Sequence, residues 1–327
     1  MRDLPTLADV QAAAERIKPL AVRTPLLENP ELNLRAGARV LIKPECLQTT
    51  GSFKIRGATN RISQLTEEER RAGVVAFSSG NHAQGVARAA RYFQVPAVIV
   101  MPSDAPTVKI EGVRRDDAEL VLYERNSGSR EKIAAELCEQ RGAVLVPSYD
   151  DPHIVAGQGT AGLEVAQQLA ARGLGLDHFL CCTGGGGLVN GSALGIHGTF
   201  PEAKIWSVEP MGHDDWRRSL EAREIRANAP GTRSFCDAIL TPEPGRIPFT
   251  IALNEVAGGF AVSDDEVREA MRFAVRHLKL VVEPGGAVAL AAALRGLPEG
   301  MQGKTVAITL SGGNVDPALL AEVLAEA

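Results

Sequence analysis

Short β-branched runs alternate with longer helical periods along nearly the whole chain, and this alternation restricts the fold more than any other feature. Runs at 73–77, 97–101, 119–122 and 143–146 have the apolar character of strands buried on both faces, and helical patterns at 81–93, 107–114 and 129–141 separate them. Further strands are expected at 178–182, 204–208 and 305–310, with helices at 157–171, 188–197, 264–278 and 287–294. Parallel strands need crossover connections, so the pattern predicts an α/β chain of parallel sheets covered by helices. Helix starts are locally specified by the capping boxes Thr66 to Glu69 and Ser263 to Glu266, and by Asp316 ahead of Pro317. The segment 224–250, rich in Pro and Gly, has no period and is expected to be a long loop over the site or at an interface. The stretch 147–152 reads as a connection, which predicts two lobes with a cleft between them.

With 327 residues, 45% of them hydrophobic and 23% charged, the chain can bury a large core, which argues against disorder. The net charge of −5 and the lack of long like-charge runs disfavour nucleic acid as a partner. The start carries an acid and a proline where a signal peptide needs an apolar run, and no stretch approaches the ~20 apolar residues of a membrane span. A soluble, cytoplasmic protein is expected. Cys46, Cys138, Cys181, Cys182 and Cys236 are odd in number and lack C-x-x-C spacing, so reduced thiols are the simplest reading.

Four glycine- or serine-rich segments carry the chemistry. Lys54, between small and apolar residues at a predicted helix start, is either a solvated first-turn lysine or a desolvated amine whose pKa the helix dipole lowers toward nucleophilicity. Ser78-Ser79-Gly80-Asn81-His82 follows a predicted strand, where α/β proteins bind ligands, although a serine cap alone would explain part of it. Gly184-Gly185-Gly186-Gly187-Leu188 at a strand-to-helix junction exposes backbone N–H groups suited to phosphate, or forms a ligand-free turn. Its spacing is not a dinucleotide fingerprint, because Val189 stands where the last glycine belongs. Leu310-Ser311-Gly312-Gly313-Asn314 is by itself a turn. Gly303-Lys304-Thr305 is no P-loop, since Pro298 stands at the required glycine. Neither G-x-S-x-G nor H-E-x-x-H occurs. Glu209 and Asp215, with carbonyls between them, suit a hard cation such as Mg²⁺ or Ca²⁺, or are simply exposed loop acids.

Taken together, Ser52-Phe53-Lys54-Ile55-Arg56-Gly57-Ala58, the segment 78–85, Asp151-Pro152-His153 leading into Ala156-Gly157-Gln158-Gly159-Thr160, the four glycines and the segment 310–314 form a specific, ordered set. The chain resembles the fold type II pyridoxal-phosphate enzymes, tryptophan synthase β-like, within the group of threonine/serine dehydratases, serine racemases and hydroxyaspartate dehydratases. The resemblance runs from Arg23 to Asp316. It implies a large cofactor-binding domain of residues 1–72 and 151–327 and a small domain of 73–150. It implies Lys54 as the Schiff-base lysine, Phe53 beside the ring, Asn81 on the phenolic oxygen, Gly184, Gly185, Gly186, Gly187 and Leu188 at the phosphate, and Ser311 at the pyridine nitrogen. Ser78, Ser79, Asn81 and His82 would take the substrate carboxylate, and Glu209, the His213 carbonyl and Asp215 a divalent cation, Mg²⁺ or another.

A serine at the pyridine nitrogen makes a weaker electron sink than a carboxylate, which favours loss of a β-hydroxyl over transamination. The leading expectation is therefore an L-threonine/L-serine dehydratase yielding a 2-oxo acid and ammonia by α,β-elimination, with Lys54 as the base. The alternatives are serine racemase, which a serine at position 79 keeps open, 3-hydroxyaspartate dehydratase or racemase, and a non-catalytic binder on the same scaffold. Arg130 is a candidate for a second substrate carboxylate or a helix-start cation facing water. Cys236-Asp237-Ala238 departs from the group's usual Ala-Asp-Gly, which affects the substrate contacts nearby. Only 13 residues follow Asn314, so a short catabolic form without a regulatory domain is expected, and resemblance implies a homodimer.

Overall fold

Ten strands in two sheets organise the computed structural model, which describes residues 4–78, 80–105, 107–124 and 129–326. They are β1 (Leu27–Glu28), β2 (Arg39–Pro44), β3 (Val74–Phe77), β4 (Ala97–Pro102), β5 (Glu119–Tyr123), β6 (Val144–Leu145), β7 (His178–Cys182), β8 (Lys204–Pro210), β9 (Val256–Val262) and β10 (Thr305–Leu310). The six-stranded sheet runs β1-β2-β10-β7-β8-β9 and the four-stranded sheet β5-β4-β3-β6. Every pairing is parallel except β1 with β2. Helices cover the sheets, as the alternation predicts for an α/β fold of this kind.

Three strands escape sequence reading, the two-residue β1 among them. In β2, Arg39 and Lys43 interrupt the apolar run, yet the strand is buried from Val40 to Pro44 and pairs along its length with β10. In β9, Gly258 and Gly259 suppress strand propensity; a Cβ on Gly259 would lie 2.4 Å from Ser207 Oγ, so the close approach to β8 requires the glycine. Three helices differ in extent from expectation. The helix expected at 157–171 spans Pro152–Ala170, because Asp151 caps it by accepting from His153 and Ile154 with Pro152 in the first turn. The helix expected at 287–294 begins at Pro284, and that expected at 264–278 ends in a π-turn from Ala274 to Leu278, closed by Lys279 at φ +60°. The loop expected at 224–250 stops where the helix Arg246–Glu255 begins.

The helix Lys54–Ser63 packs against both Asn81–Phe93 and Pro152–Ala170. It crosses the latter at glycines: a Cβ on Gly157 would sit 2.7 Å from Gly57 Cα. Beneath this crossing lies a buried ionic network. Arg56, with no exposed surface, donates to Glu45 (2.7 and 2.8 Å), to Glu164 (2.8 and 2.9 Å) and to Thr160 (3.0 Å), while buried Lys43 donates to Glu164 at 2.6 Å. Buried ions are tolerable only when paired and hydrogen-bonded this fully.

Candidate active site

Adjacent parallel strands β2, β10, β7 and β8 each deliver one motif at the carboxyl end, where open α/β sheets bind ligands. β2 leads to the lysine segment, β10 to Ser311, β7 to the four glycines and β8 to Glu209. From the smaller sheet β3 delivers Ser78 to His82. The cleft they form has a volume of about 400 Å³ and is lined by Lys54, Asn81, His82, the glycine loop, Glu283 and Ser311 among others.

Lys54 is the first residue of its helix, which has no side-chain cap. Its Nζ donates to Ser148 O at 2.9 Å and lies 5.1 Å from the centre of the Phe53 ring. Burial lowers the ammonium pKa to about 8, against the opposing pull of the Glu283 carboxylate. Asn81 is held at both ends: its Nδ2 donates to Glu283 and its Oδ1 accepts from Asn314 Nδ2 at 2.8 Å. His82 Nε2 donates to Val146 O at 2.8 Å; a carbonyl only accepts, so Nε2 carries the proton and the buried Nδ1 is an acceptor without a partner. Burial and the Lys54 charge push the His82 pKa down to about 3, which keeps the ring neutral. Ser78 Oγ accepts from Gly80 N at 3.1 Å. Ser79 lies outside the described residues. Ser311 is buried beside the Cys182 thiol, and its carbonyl accepts from Phe53 N at 3.1 Å.

Close packing explains the run of glycines. A Cβ on Gly185 would fall 2.2 Å from the Tyr149 ring, and one on Gly186, at φ +91°, would fall 2.0 Å from Trp216 Cζ2. The Trp216 indole N–H donates to Gly184 O. The helix Gly187–His197 then starts with no side-chain cap, so its first N–H groups and positive dipole end face the cleft. Arg130 also lines the cleft; its guanidinium carbon is 5.5 Å from the centre of the Phe77 ring and its Nε donates to Glu131 at 2.8 Å.

The acidic turn lies one strand further along. Glu209 accepts from Trp216 N (3.0 Å) and Arg217 N (3.1 Å), and Asp215 accepts from Asn228 Nδ2 at 2.6 Å while its buried Oδ2 has no partner. Burial and the neighbouring Asp215 raise the Glu209 pKa well above the usual carboxylate range, and burial raises that of Asp215 to about 6. Two crowded acids and an unpartnered oxygen fit a cation. The His213 ring nitrogens are buried without partners, but among the described residues no three His, Cys, Asp or Glu side chains converge as a metal cluster. Backbone oxygens would have to complete such a site.

Sequence reasoning missed Glu283, Tyr149 and Trp216. Only Glu283 carries a local signal, standing before Pro284 at a helix start.

An amine of lowered pKa in the same cleft as an uncapped, glycine-lined helix start fits pyridoxal phosphate in both aldehyde and phosphate chemistry. The sequence pattern of the pyridoxal-phosphate dependent enzymes matches residues 17–312. The chain belongs to this family. It is 45% identical over 309 residues to an L-threo-3-hydroxyaspartate ammonia-lyase of Pseudomonas sp, covering 94% of this chain and 95% of the relative. It is 40% identical over 313 residues to a serine racemase of Schizosaccharomyces pombe, covering 96% and 95%. The crystal structure of a T.th. threonine deaminase superposes with a TM-score of 0.89 at 41% identity, covering 95% of this chain and 99% of that one. The protein is thus a fold type II pyridoxal-phosphate enzyme of the ammonia-lyase and racemase group. No helix among the described residues is long and apolar enough to cross a membrane.

Proposed function

We propose that this pyridoxal-phosphate enzyme is an L-threo-3-hydroxyaspartate ammonia-lyase, releasing ammonia and a 2-oxo acid. The observation that carries the reading is Arg130, a guanidinium lining the same cleft as Lys54. Threonine and serine have only one carboxylate, whereas hydroxyaspartate has a second that a planar guanidinium can receive. The Pseudomonas relative supports this reading over the threonine/serine dehydratase expected from the motifs.

When bound, pyridoxal phosphate supplies the aldehyde for the Lys54 amine and the electron sink that acidifies the substrate Cα–H. Lys54, its pKa lowered to about 8, takes the Cα proton as a neutral amine. Ser78, Ser79 and Asn81 receive the α-carboxylate, while neutral His82, whose Nε2 proton is donated to Val146 O and whose Nδ1 has none to donate, excludes water beside it. Gly184 to Leu188 would hold the phosphate, Phe53 would flank the ring and Ser311 would serve its nitrogen, all of them lining the cleft. Arg130 orients the side-chain carboxylate so that the β-hydroxyl can leave. In this reading residues 73–150 act as the small domain against 1–72 and 151–327, and Glu209, the His213 carbonyl and Asp215 take Mg²⁺ or another divalent cation. Resemblance alone supports a homodimer.

Replacing Arg130 with Ala should raise KM for hydroxyaspartate about tenfold to a hundredfold, matching a lost charged hydrogen bond of about 1.5–3 kcal/mol, and leave KM for threonine and serine nearly unchanged. Equal losses for all three substrates, or no ammonia from hydroxyaspartate with the unaltered chain, would remove the reading. The S. pombe relative favours serine racemase as the second reading, which D-serine formed from L-serine would establish.

A further inference from the structure

Trp216 joins the acidic turn to the glycine loop. Its main-chain N–H donates to Glu209 Oε1 at 3.0 Å, and its indole N–H donates to Gly184 O. The side chain is fully buried, and the edge of its six-membered ring occupies the space a Cβ on Gly186 would need, 2.0 Å away. The strands beneath are in register: Cys182 at the end of β7 pairs with Val208 of β8, and Thr183 N donates to Val208 O at 3.0 Å. A second path leaves the other acid. Asn228 Nδ2 donates both to Asp215 Oδ1 (2.6 Å) and to Thr241 O (3.0 Å), and Thr241 lines the cleft.

We propose that Trp216 couples a divalent cation at Glu209 and Asp215 to the grip of the glycine loop on the cofactor phosphate. The proposal rests on the reading that this turn binds a cation. Without a cation, two buried carboxyl groups crowd the start of the helix Asp215–Ala222, and Asp215 Oδ2 has no partner. A cation draws them together. Trp216, next in the chain to Asp215 and hydrogen-bonded to Glu209, must then shift with them. Gly184 and Gly186 follow, because the indole bonds one and fills the space beside the other. A packed interior transmits such a shift rather than absorbing it. Trp216 is here a positioning residue, since the phosphate would be held by the loop and not by the indole.

The test uses the full chain stripped of cofactor and of metal by a chelator. Cation binding is followed by calorimetry with MgCl2 or CaCl2, and cofactor binding by visible absorbance during titration with pyridoxal phosphate. For the unaltered chain, saturating Mg²⁺ or Ca²⁺ should tighten pyridoxal phosphate by about fivefold or more, and pyridoxal phosphate should tighten the cation by the same factor, since coupling is reciprocal. The variant Trp216→Phe keeps the main-chain N–H on Glu209 but loses the indole N–H. It should bind the cation as before while the factor falls close to one. A factor kept in full by Trp216→Phe, or an unaltered chain that binds the cation with no change in cofactor affinity, overturns the proposal. Absence of any cation binding by the unaltered chain removes the cation reading and the proposal with it. The reciprocity measurement needs no variant, so a misfolded Trp216→Phe leaves the proposal exposed to refutation.

Discussion

Gly186 shows how much one missing side chain matters in this site. It combines φ +91° with a virtual Cβ 2.0 Å from Trp216, so alanine there meets both backbone strain and a clash with a buried indole. Gly142 is the natural control, at φ +65° with nothing within 4 Å. Gly186→Ala should weaken pyridoxal phosphate by at least about tenfold in a reconstitution titration, on the scale of about 1.4 kcal/mol or more, whereas Gly142→Ala should cost only about 1 kcal/mol of stability and leave cofactor affinity alone. Equal cofactor affinities in the two variants would contradict the account of the glycine loop. Lys54 makes the complementary point: its neighbours in sequence mark a helix start, but its lowered pKa comes from the walls of the cleft, above all from burial.

At the scale of elements, the helix Lys54–Ser63 is held by charge as much as by apolar packing. Arg56 ties it to Glu45 at the end of β2 and to Thr160 and Glu164 on the helix Pro152–Ala170. Two motifs that look catalytic in sequence thus include residues that hold the scaffold together, since Arg56 and Thr160 bond each other and Gly57 N donates to Gln158 at 3.2 Å. Arg56→Leu would leave buried Glu45 without its hydrogen-bonded cation and Glu164 with Lys43 alone. It should lower stability by about 3–5 kcal/mol in urea unfolding and weaken the visible absorbance of bound cofactor by tilting the lysine helix. Little change in the unfolding midpoint would refute this. Elements with local signals were legible: the helices Asn81–Phe93 and Thr107–Arg114 and the strands His178–Cys182 and Thr305–Leu310 have the expected bounds, because the apolar period of each is carried by its own residues. β2 and β9 were not, since Lys43 is neutralised by Glu164 and the β9 glycines are selected by Ser207 and Trp206, all distant in sequence.

For the whole molecule, two histidines link stability to pH in opposite senses. His82 falls from 6.5 to about 3 on folding, so its contribution is present above pH 6.5 and is lost as the pH drops toward 3, where the unfolded chain takes up the proton the fold refuses. The His197 pKa is raised, chiefly by its hydrogen bond to Glu255; its contribution is complete below 6.5 and is lost as the pH rises through the raised value. This pair joins the ends of the helices Gly187–His197 and Arg246–Glu255. Calorimetric Tm profiles should therefore show a shallower acid limb in His82→Gln and a shallower alkaline limb in His197→Gln. Parallel profiles for all three proteins would refute the assignment.

By itself the sequence determined the α/β alternation, the helix caps and the identity of the reactive segments, because each depends on residues within a few positions of one another. Only the tertiary structure decided which of those segments share a cleft and what surrounds them. Glu283 beside Asn81, Tyr149 and Trp216 against the glycines, and Arg56 among buried carboxylates all meet across long separations in sequence, where neither periodicity nor capping leaves a trace. Desolvation then sets the charge of Lys54 and His82, and desolvation belongs to the folded surroundings of a group rather than to its local sequence.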